Sequence, residues 1–461
     1  MSERDALLER AARHARDYLD HVSRRPVGGM QSAGELSARL AVPLPEDGED
    51  AAVVLDALAQ AARGGTVATQ GPRYFGFVVG SSLPVATAAD WLVSAWDQNT
   101  GLYVLSPFNA VTEQVAAGWI LELAGLPESW SVGFVTGGSM ANFTALAAAR
   151  RHVLEQVGWN VEEDGLVGAP PITFVVNDEA HYSIATSLRM LGLGTRSAVR
   201  IGTDAQGRMR PDELASVLRK TQGPCVVCAQ AGNVNTGAFD PLESISDLAR
   251  EHGAWLHVDG AFGLWAAASP GLRHLLAGLA GADSVSTDAH KWLNVPYDCG
   301  IVLCAHPTAH RGAMTLAAAY LQESPRERDP REYVPEESRR ARAVPVYAAL
   351  RTLGRGGLSA LVERCCRHAR RFAEGLREAG YEVLNEVVLN QVLVSFGEPE
   401  VTRRVIAAIQ EDGTCWCSGT EWQGRTAMRI SVSSWATTDA DVERSLDAMR
   451  RAARAVTGRR E

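Results

Sequence analysis

The chain has 461 residues, 46% of them hydrophobic and 21% charged, the balance of a globular protein, and at about 100–200 residues per domain it has room for two or three. A formal net charge of −9 argues against a surface built for nucleic acid or an anionic membrane and points to a small-molecule partner. Of the 45 Lys plus Arg residues only Lys220 and Lys291 are lysine, so a chain that writes arginine elsewhere keeps an amine at these two places.

The opening stretch "MSERDALLERAARHARDYLD" carries acids early and lacks the long apolar core of a secretory signal. Leu8, Ala11, Ala12, Ala15, Tyr18, Leu19 and Val22 fall on one face at helical spacing, which predicts an amphipathic helix in need of a covering surface. No run of about 18 apolar residues occurs, so no membrane span is expected and the expected compartment is the cytoplasm.

Between about residues 130 and 305, short β-rich runs alternate with helical patterns. The runs are "SVGFV", "ITFVV", "SAVRIG", "CVVCAQ", "AWLHV", "DSVST" and "GIVLCA". The segments "MANFTALAAAR", "AHYSIATSLRMLG", "RPDELASVLRK" and "PLESISDLAREHG" read as helices, several opened by Pro or an acid and closed by Gly. Such alternation predicts an α/β class built of βαβ units, with a mostly parallel sheet and helices on both faces.

After residue 305 the texture changes. The stretch "QESPRERDPREYVPEESRRARA", residues 322–343, is charged and proline-interrupted, and reads either as a mobile surface loop or as a plain solvated linker. From about 346 onward helices such as "LSALVERCCRHARRFAEGLREAG" precede the short strands "NQVLVSF" and "AMRISVS" and a last helix, "TDADVERSLDAMRRAARAV", the pattern of a smaller α+β domain. The cysteines at 225, 228, 299, 304, 365, 366, 415 and 417 read as buried reduced thiols. Cys225 and Cys228 have CxxC spacing but lie in an apolar β-like run, so neither a redox motif nor a metal site is expected.

In open α/β sheets ligands bind beyond the carboxyl ends of the strands. Five predicted strands run there into polar residues: Thr136 to Ser139, Asn177 to His181, Gly232 to Asn235, Asp259, and Asp288 to Lys291. "FVTGGSMANFTALAAAR" is a strand, a glycine turn and a helix start, which serves either as a tight turn or as an anion site. Lys291 supplies a primary amine that can lose its proton, which Schiff-base chemistry needs and a guanidinium cannot offer. Lys220, at a helix end, reads as a surface charge. Asp259 after an apolar strand is either a cap for the next segment or a counter-ion to a protonated pyridine nitrogen, and His181 either a turn histidine or a ring stacked on a cofactor.

Together "TGGSMAN", "NDEAHYS", "WLHVDGAFG" and "STDAHKW", in this order, resemble the pyridoxal-phosphate amino acid decarboxylases of the aromatic amino acid and glutamate decarboxylase group, from about residue 70 to the C-terminus. The resemblance implies the aspartate aminotransferase-like fold of PLP-dependent transferases, with a seven-stranded central sheet. It implies an N-terminal helical dimerisation segment (1–82), a large PLP-binding domain (83–345), a small C-terminal domain (346–461) and a homodimer. Lys291 would hold pyridoxal 5'-phosphate (PLP) as a Schiff base and Asp259 would keep its ring nitrogen protonated. Ala261 would pack under the ring with His181 over the other face, and Gly138, Ser139 and His290 would surround the phosphate. Asn233 falls near the residue that approaches the phenolic oxygen, where the family often has threonine, and Asp288 stands where aromatic enzymes carry asparagine.

The implied reaction is decarboxylation of an L-amino acid to the amine and carbon dioxide. Tyr320, 29 residues beyond Lys291, matches the loop tyrosine that protonates Cα, where the related aldehyde-forming enzymes carry phenylalanine. An aldehyde synthase or an aminotransferase on the same fold is the alternative reaction. Tyr74 and Phe77 in "GPRYFGFVVGSSLP" and Tyr103 in "NTGLYVLSP" imply an aromatic or large apolar substrate. Arg429 in "AMRISVS" matches the arginine that binds a carboxylate in the glutamate enzymes, and implies an acidic one.

Overall fold

The structure, a computed structural model, describes residues 2–196, 198–315 and 327–458. The chain divides into two compact units: residues 82–370 with 385–392, and residues 1–81 with 371–384 and 393–461.

The larger unit holds all seven runs read as strands: β1 (Ser131–Val135), β2 (Thr173–Asn177), β3 (Val199–Ile201), β4 (Cys225–Gln230), β5 (Trp255–Asp259), β6 (Ser284–Asp288) and β7 (Gly300–Cys304). They form one sheet in the order β1-β7-β6-β5-β4-β2-β3. The pairs from β3 through to β6 are parallel, and β7 runs antiparallel to both β1 and β6. Strands β1, β4, β5, β6 and β7 are buried along their whole length, which is why they read as near-continuous runs and not as alternating ones. The helix Gly138–Glu155 packs through Leu146 and Ala147 into a core with Phe174, Val226, Trp255 and Cys304. The helix that begins at Ala343 breaks at Gly354, whose φ of 59° and ψ of −176° suit only glycine.

The charged stretch that reads as a mobile loop or a solvated linker is neither in its described part, residues 327–343. Asp329, Arg331, Glu332 and Arg339 are buried there. Buried Glu113 accounts for Arg339 and its neighbour Arg328: Arg339 Nη1 lies 2.8 Å from its Oε2, Arg328 Nη1 lies 3.2 Å from its Oε1, and Arg339 also donates to the Phe134 carbonyl at 2.7 Å. The arginines are desolvated because a carboxylate and strand carbonyls satisfy them, a long-range pairing that composition does not reveal.

In the second unit the opening helix runs from Glu3 to His21 behind a Ser2 capping box. None of its residues is buried, and Leu8 and Leu19 stay exposed, so within the described chain its apolar face is only partly covered. The segment before residue 81 is tied to the C-terminal part by Arg73, which pairs with Asp441 at 2.9 Å, and by Phe75 edge-on to Phe372 at 5.0 Å. A four-stranded sheet has the order β10-β11-β9-β8: β8 (Glu382–Val383), β9 (Gln391–Ser395), β10 (Ser418–Trp422) and β11 (Arg425–Ser431). β8 is two residues long and β10, buried only at its two ends, reads Ser-Gly-Thr-Glu-Trp, so no apolar run announces either. Among the described residues no helix is long and apolar enough to cross a membrane.

Candidate active site

The carboxyl ends of β5 and β6 and the turn after β1 bring a set of polar groups together in the larger unit. β1 leads through Thr136 and Gly137 into the helix Gly138–Glu155, whose N-terminus has no side-chain cap. Gly138 has no room for a side chain, and Gly137 is closely approached by β7. A Cβ on Gly138 would lie 2.6 Å from Asp288 Oδ2, and one on Gly300, at the start of β7, would lie 2.4 Å from the Gly137 carbonyl carbon.

Asp288 ends β6 and is 2% exposed. Its Oδ2 is 3.1 Å from Lys291 Nζ, its Oδ1 is 3.6 Å from His290 Nε2, and Oδ1 has no hydrogen-bond partner among the described residues. His290 Nδ1 accepts the Cys299 N–H at 3.1 Å. Burial holds the His290 pKa below the usual histidine range, against the opposing pull of Asp288. The neutral ring therefore carries its proton on Nε2, the nitrogen facing Asp288.

Asp259 ends β5 and is buried. Its Oδ1 accepts the Ala261 N–H at 3.1 Å and its Oδ2 accepts from Asn142 Nδ2 at 3.0 Å. Asn142 also donates to Ser183 Oγ at 3.0 Å, and Ser183 Oγ lies 2.8 Å from Nδ1 of His181. Lys291, Asp288, His290 and Gly138 thus form one cluster, and Asp259, Ala261 and His181 a second, linked through Asn142.

Other expected residues sit differently. Asn233 is buried and turned on its own loop, its Oδ1 accepting the N–H groups of Asn235 at 2.8 Å and Thr236 at 3.1 Å. Ser139 is exposed in the first turn of its helix. Tyr103 lies in a short 3₁₀ turn, its backbone N–H held by Asp329 Oδ1 at 2.7 Å. Tyr74, Phe77 and Arg429 belong to the second unit. There Tyr74 stacks on Trp416 at 5.1 Å and Phe77 meets the same indole at 5.4 Å. Phe77 and Val78 both take left-handed backbone angles, φ 53° and 57°, a strain that persists only where surroundings enforce it. Arg429 is buried on β11, and burial lowers its pKa to about 10. Tyr320 lies outside the described residues. Sequence reading by residue type passes over Asn142, Ser183, His257 and Ser286. Their one signal is position: Asn142 stands inside "TGGSMAN", and His257 is a polar residue within the apolar strand before Asp259.

The groups fit PLP, with a primary amine for an aldehyde, an uncapped helix N-terminus behind a glycine turn for a phosphate, and a buried carboxylate for a ring nitrogen. The model of the pyridoxal-dependent decarboxylase conserved domain matches residues 34–397. The chain belongs to this family.

As a pyridoxal-dependent decarboxylase it is a PLP-dependent carboxy-lyase of amino acid metabolism. It is 27% identical over 442 residues to the aromatic-L-amino-acid decarboxylase of Bacillus atrophaeus, covering 92% of this chain and 90% of that one. It is 30% identical over 428 residues to the L-2,4-diaminobutyrate decarboxylase of Rhizobium meliloti, covering 89% and 84%. The crystal structure of Oryza sativa TDC with PLP and tryptamine shares the fold of this decarboxylase, with a TM-score of 0.92 at 22% identity over 99% of each chain.

Proposed function

We propose that this decarboxylase converts an L-amino acid with an aromatic or large apolar side chain to its amine and carbon dioxide. The observation that carries the reaction is the Lys291 amine held 3.1 Å from the buried Asp288 carboxylate at the glycine turn. PLP, when bound, supplies the electron sink into which the bond from Cα to the carboxylate breaks. Lys291 Nζ would hold the cofactor by condensing with its aldehyde, whose oxygen leaves as water, and Asp288 Oδ2, 3.1 Å away, would keep the amine in place. Gly138, Ser139 and the Nε2–H of His290 would surround the phosphate, with the helix dipole behind them. Asp259, with both oxygens fixed by Ala261 and Asn142, would hold a proton on the ring nitrogen. Ala261 and His181 would face the two sides of the ring, Asn233 would stand near the phenolic oxygen, and Tyr320 would deliver the final proton to Cα.

The aromatic preference is supported by the near-full-length likeness to an aromatic-L-amino-acid decarboxylase. A second reading, an acidic substrate bound by Arg429, is favoured by the burial of that guanidinium on β11. We also propose a cytoplasmic homodimer in which residues near 100 complete the partner's pocket. The dimer is supported by an exposed apolar surface on the helices Pro84–Trp96 and Pro107–Ala124 and the 3₁₀ turn between them, where Trp96 meets Phe108 at 5.3 Å and Trp91, Val104 and Leu105 stay uncovered. The cytoplasm is supported by buried cysteines that form no disulfide among the described residues, Cys225, Cys228, Cys299, Cys304, Cys366, Cys415 and Cys417.

The test is release of carbon dioxide from each common amino acid, with ammonia and peroxide measured alongside. An aromatic amino acid should react fastest and yield amine without ammonia. Ammonia equal to carbon dioxide would instead mean an aldehyde synthase, and fastest turnover of glutamate would favour the Arg429 reading.

A further inference from the structure

We infer that Asn142 is a positioning residue for the decarboxylation, orienting the Asp259 carboxylate and, through Ser183, fixing His181 with its proton on Nε2. The inference rests on the reading of Asp259 and His181 as residues that face PLP.

All four hydrogen-bonding positions of the Asn142 amide are used. Nδ2 donates to Asp259 Oδ2 and to Ser183 Oγ, each at 3.0 Å. Oδ1 lies 2.9 Å from His257 Nε2 and accepts from the Ser286 hydroxyl. A flipped amide would set its oxygen against a carboxylate oxygen, two acceptors face to face, so Asp259 decides the orientation.

Each remaining proton then has one place. The Trp255 indole can only donate, and does so to Ser284 Oγ at 2.9 Å. Ser284 Oγ also lies 2.9 Å from His257 Nδ1, which takes the hydroxyl proton because His257 Nε2 faces Asn142 Oδ1, an oxygen that can only accept. Burial lowers the His257 pKa to about 4 against the pull of Asp259, so the ring is neutral and its single proton faces Asn142 Oδ1. On the other side Ser183 Oγ accepts from Asn142 and gives its proton to His181 Nδ1 at 2.8 Å, where the Ser183 N–H also points at 3.3 Å. His181 Nδ1 is an acceptor on both counts, so the neutral ring carries its proton on Nε2. Asn142, Ser183, His257, Ser284 and Ser286 are each at most 2% exposed, so water offers no competing partner. An amide suits the hub because it donates and accepts at once and does not titrate.

The experiment uses the holoenzyme and three variants. Asn142→Asp keeps the shape and both acceptors but loses both donors, and should weaken PLP binding by about tenfold or more with a changed absorbance spectrum of the bound cofactor. Ser183→Ala cuts only the His181 branch, and should leave PLP affinity within about threefold while lowering kcat. With ¹⁵N-histidine labelling, long-range ¹H–¹⁵N correlation should show His181 protonated at Nε2 in the wild type and mixed in Ser183→Ala, with His257 unchanged. His181→Gln assigns the signal. An Nδ1-protonated His181 in the wild type, an unchanged pattern in Ser183→Ala, or wild-type PLP affinity in Asn142→Asp would overturn the inference. Should Asn142→Asp not fold, the tautomer measurements decide alone. A Lys291→Ala control separates the two readings: if it binds PLP like the wild type, the site assignment itself fails, whereas its loss of cofactor beside a normal Asn142→Asp variant refutes only the role of Asn142.

Discussion

Lys291 Nζ and Asp288 Oδ2 lie 3.1 Å apart, and the same carboxylate stands where a Cβ on Gly138 would strike it, so the amine and the glycine turn share one buried anion. The carboxylate holds the lysine in place and also opposes any second anion at the helix N-terminus.

Asp288→Asn should therefore tighten PLP. Removing a negative charge next to a phosphate, while keeping a polar group of the same shape, should lower the PLP dissociation constant about fivefold, near 1 kcal/mol. Titration of the apoenzyme by absorbance checks this. Weaker binding in the variant would mean that holding Lys291 outweighs the repulsion.

Tyr320→Phe should keep carbon dioxide release but divert the product from amine to aldehyde, with ammonia formed in step. The assay is product analysis on the best substrate from the screen. An unchanged amine yield refutes the role given to this tyrosine.

Glu113 holds two arginines, and Arg339 has a fully buried side chain. Glu113→Ala strands a guanidinium in the interior and should cost about 3–5 kcal/mol. Asp90→Ala breaks the exposed pair to Arg340, 2.7 Å long, and should cost less than about 1 kcal/mol. Urea unfolding of both variants compares them, and equal midpoints would contradict the contrast.

Acid should destabilise the protein through two buried histidines. Burial lowers the pKa of His257 to about 4, against Asp259, and that of His310 to about 3, with Arg328 adding to the effect. His310 is locked as a neutral ring between Ser131 Oγ and the Tyr333 carbonyl, 2.9 Å from each. An unfolded histidine takes up its proton near pH 6.5, well above either folded value, so the unfolded state binds more protons below that pH. The stabilisation is complete above about pH 6.5 and is lost as pH falls toward 4, at up to about 1.4 kcal/mol per pH unit for each ring. His310→Gln should remove about half of this slope between pH 5 and 6 in urea midpoints. A slope equal to the wild type would show that His310 titrates normally.

The strands of the central sheet were legible because they are buried end to end, and their apolar runs between helical patterns leave few other readings. Lys291 stood out because the chain spells its positive charge as arginine almost everywhere else, and Asp259 because an acid after an apolar strand demands a partner. β8 and β10 were not legible, the first being two residues long and the second carrying a single large apolar residue, Trp422. The charged segment at 327–343 misled for a related reason: two of its arginines, Arg328 and Arg339, are stabilised by Glu113, more than 200 residues away in sequence, and no local pattern marks a distant counter-ion.

The sequence by itself determined the α/β class, the family and the polar residue types at the strand ends, because periodicity and motif order are local properties of the chain. Only the tertiary structure decided that Asp288 sits between Lys291 and the glycine turn, and that Asn142 joins Asp259, His181 and His257. Hydrogen bonds act over about 3 Å, and whether residues 117 positions apart come within that reach depends on sheet order and register, which no stretch of sequence states.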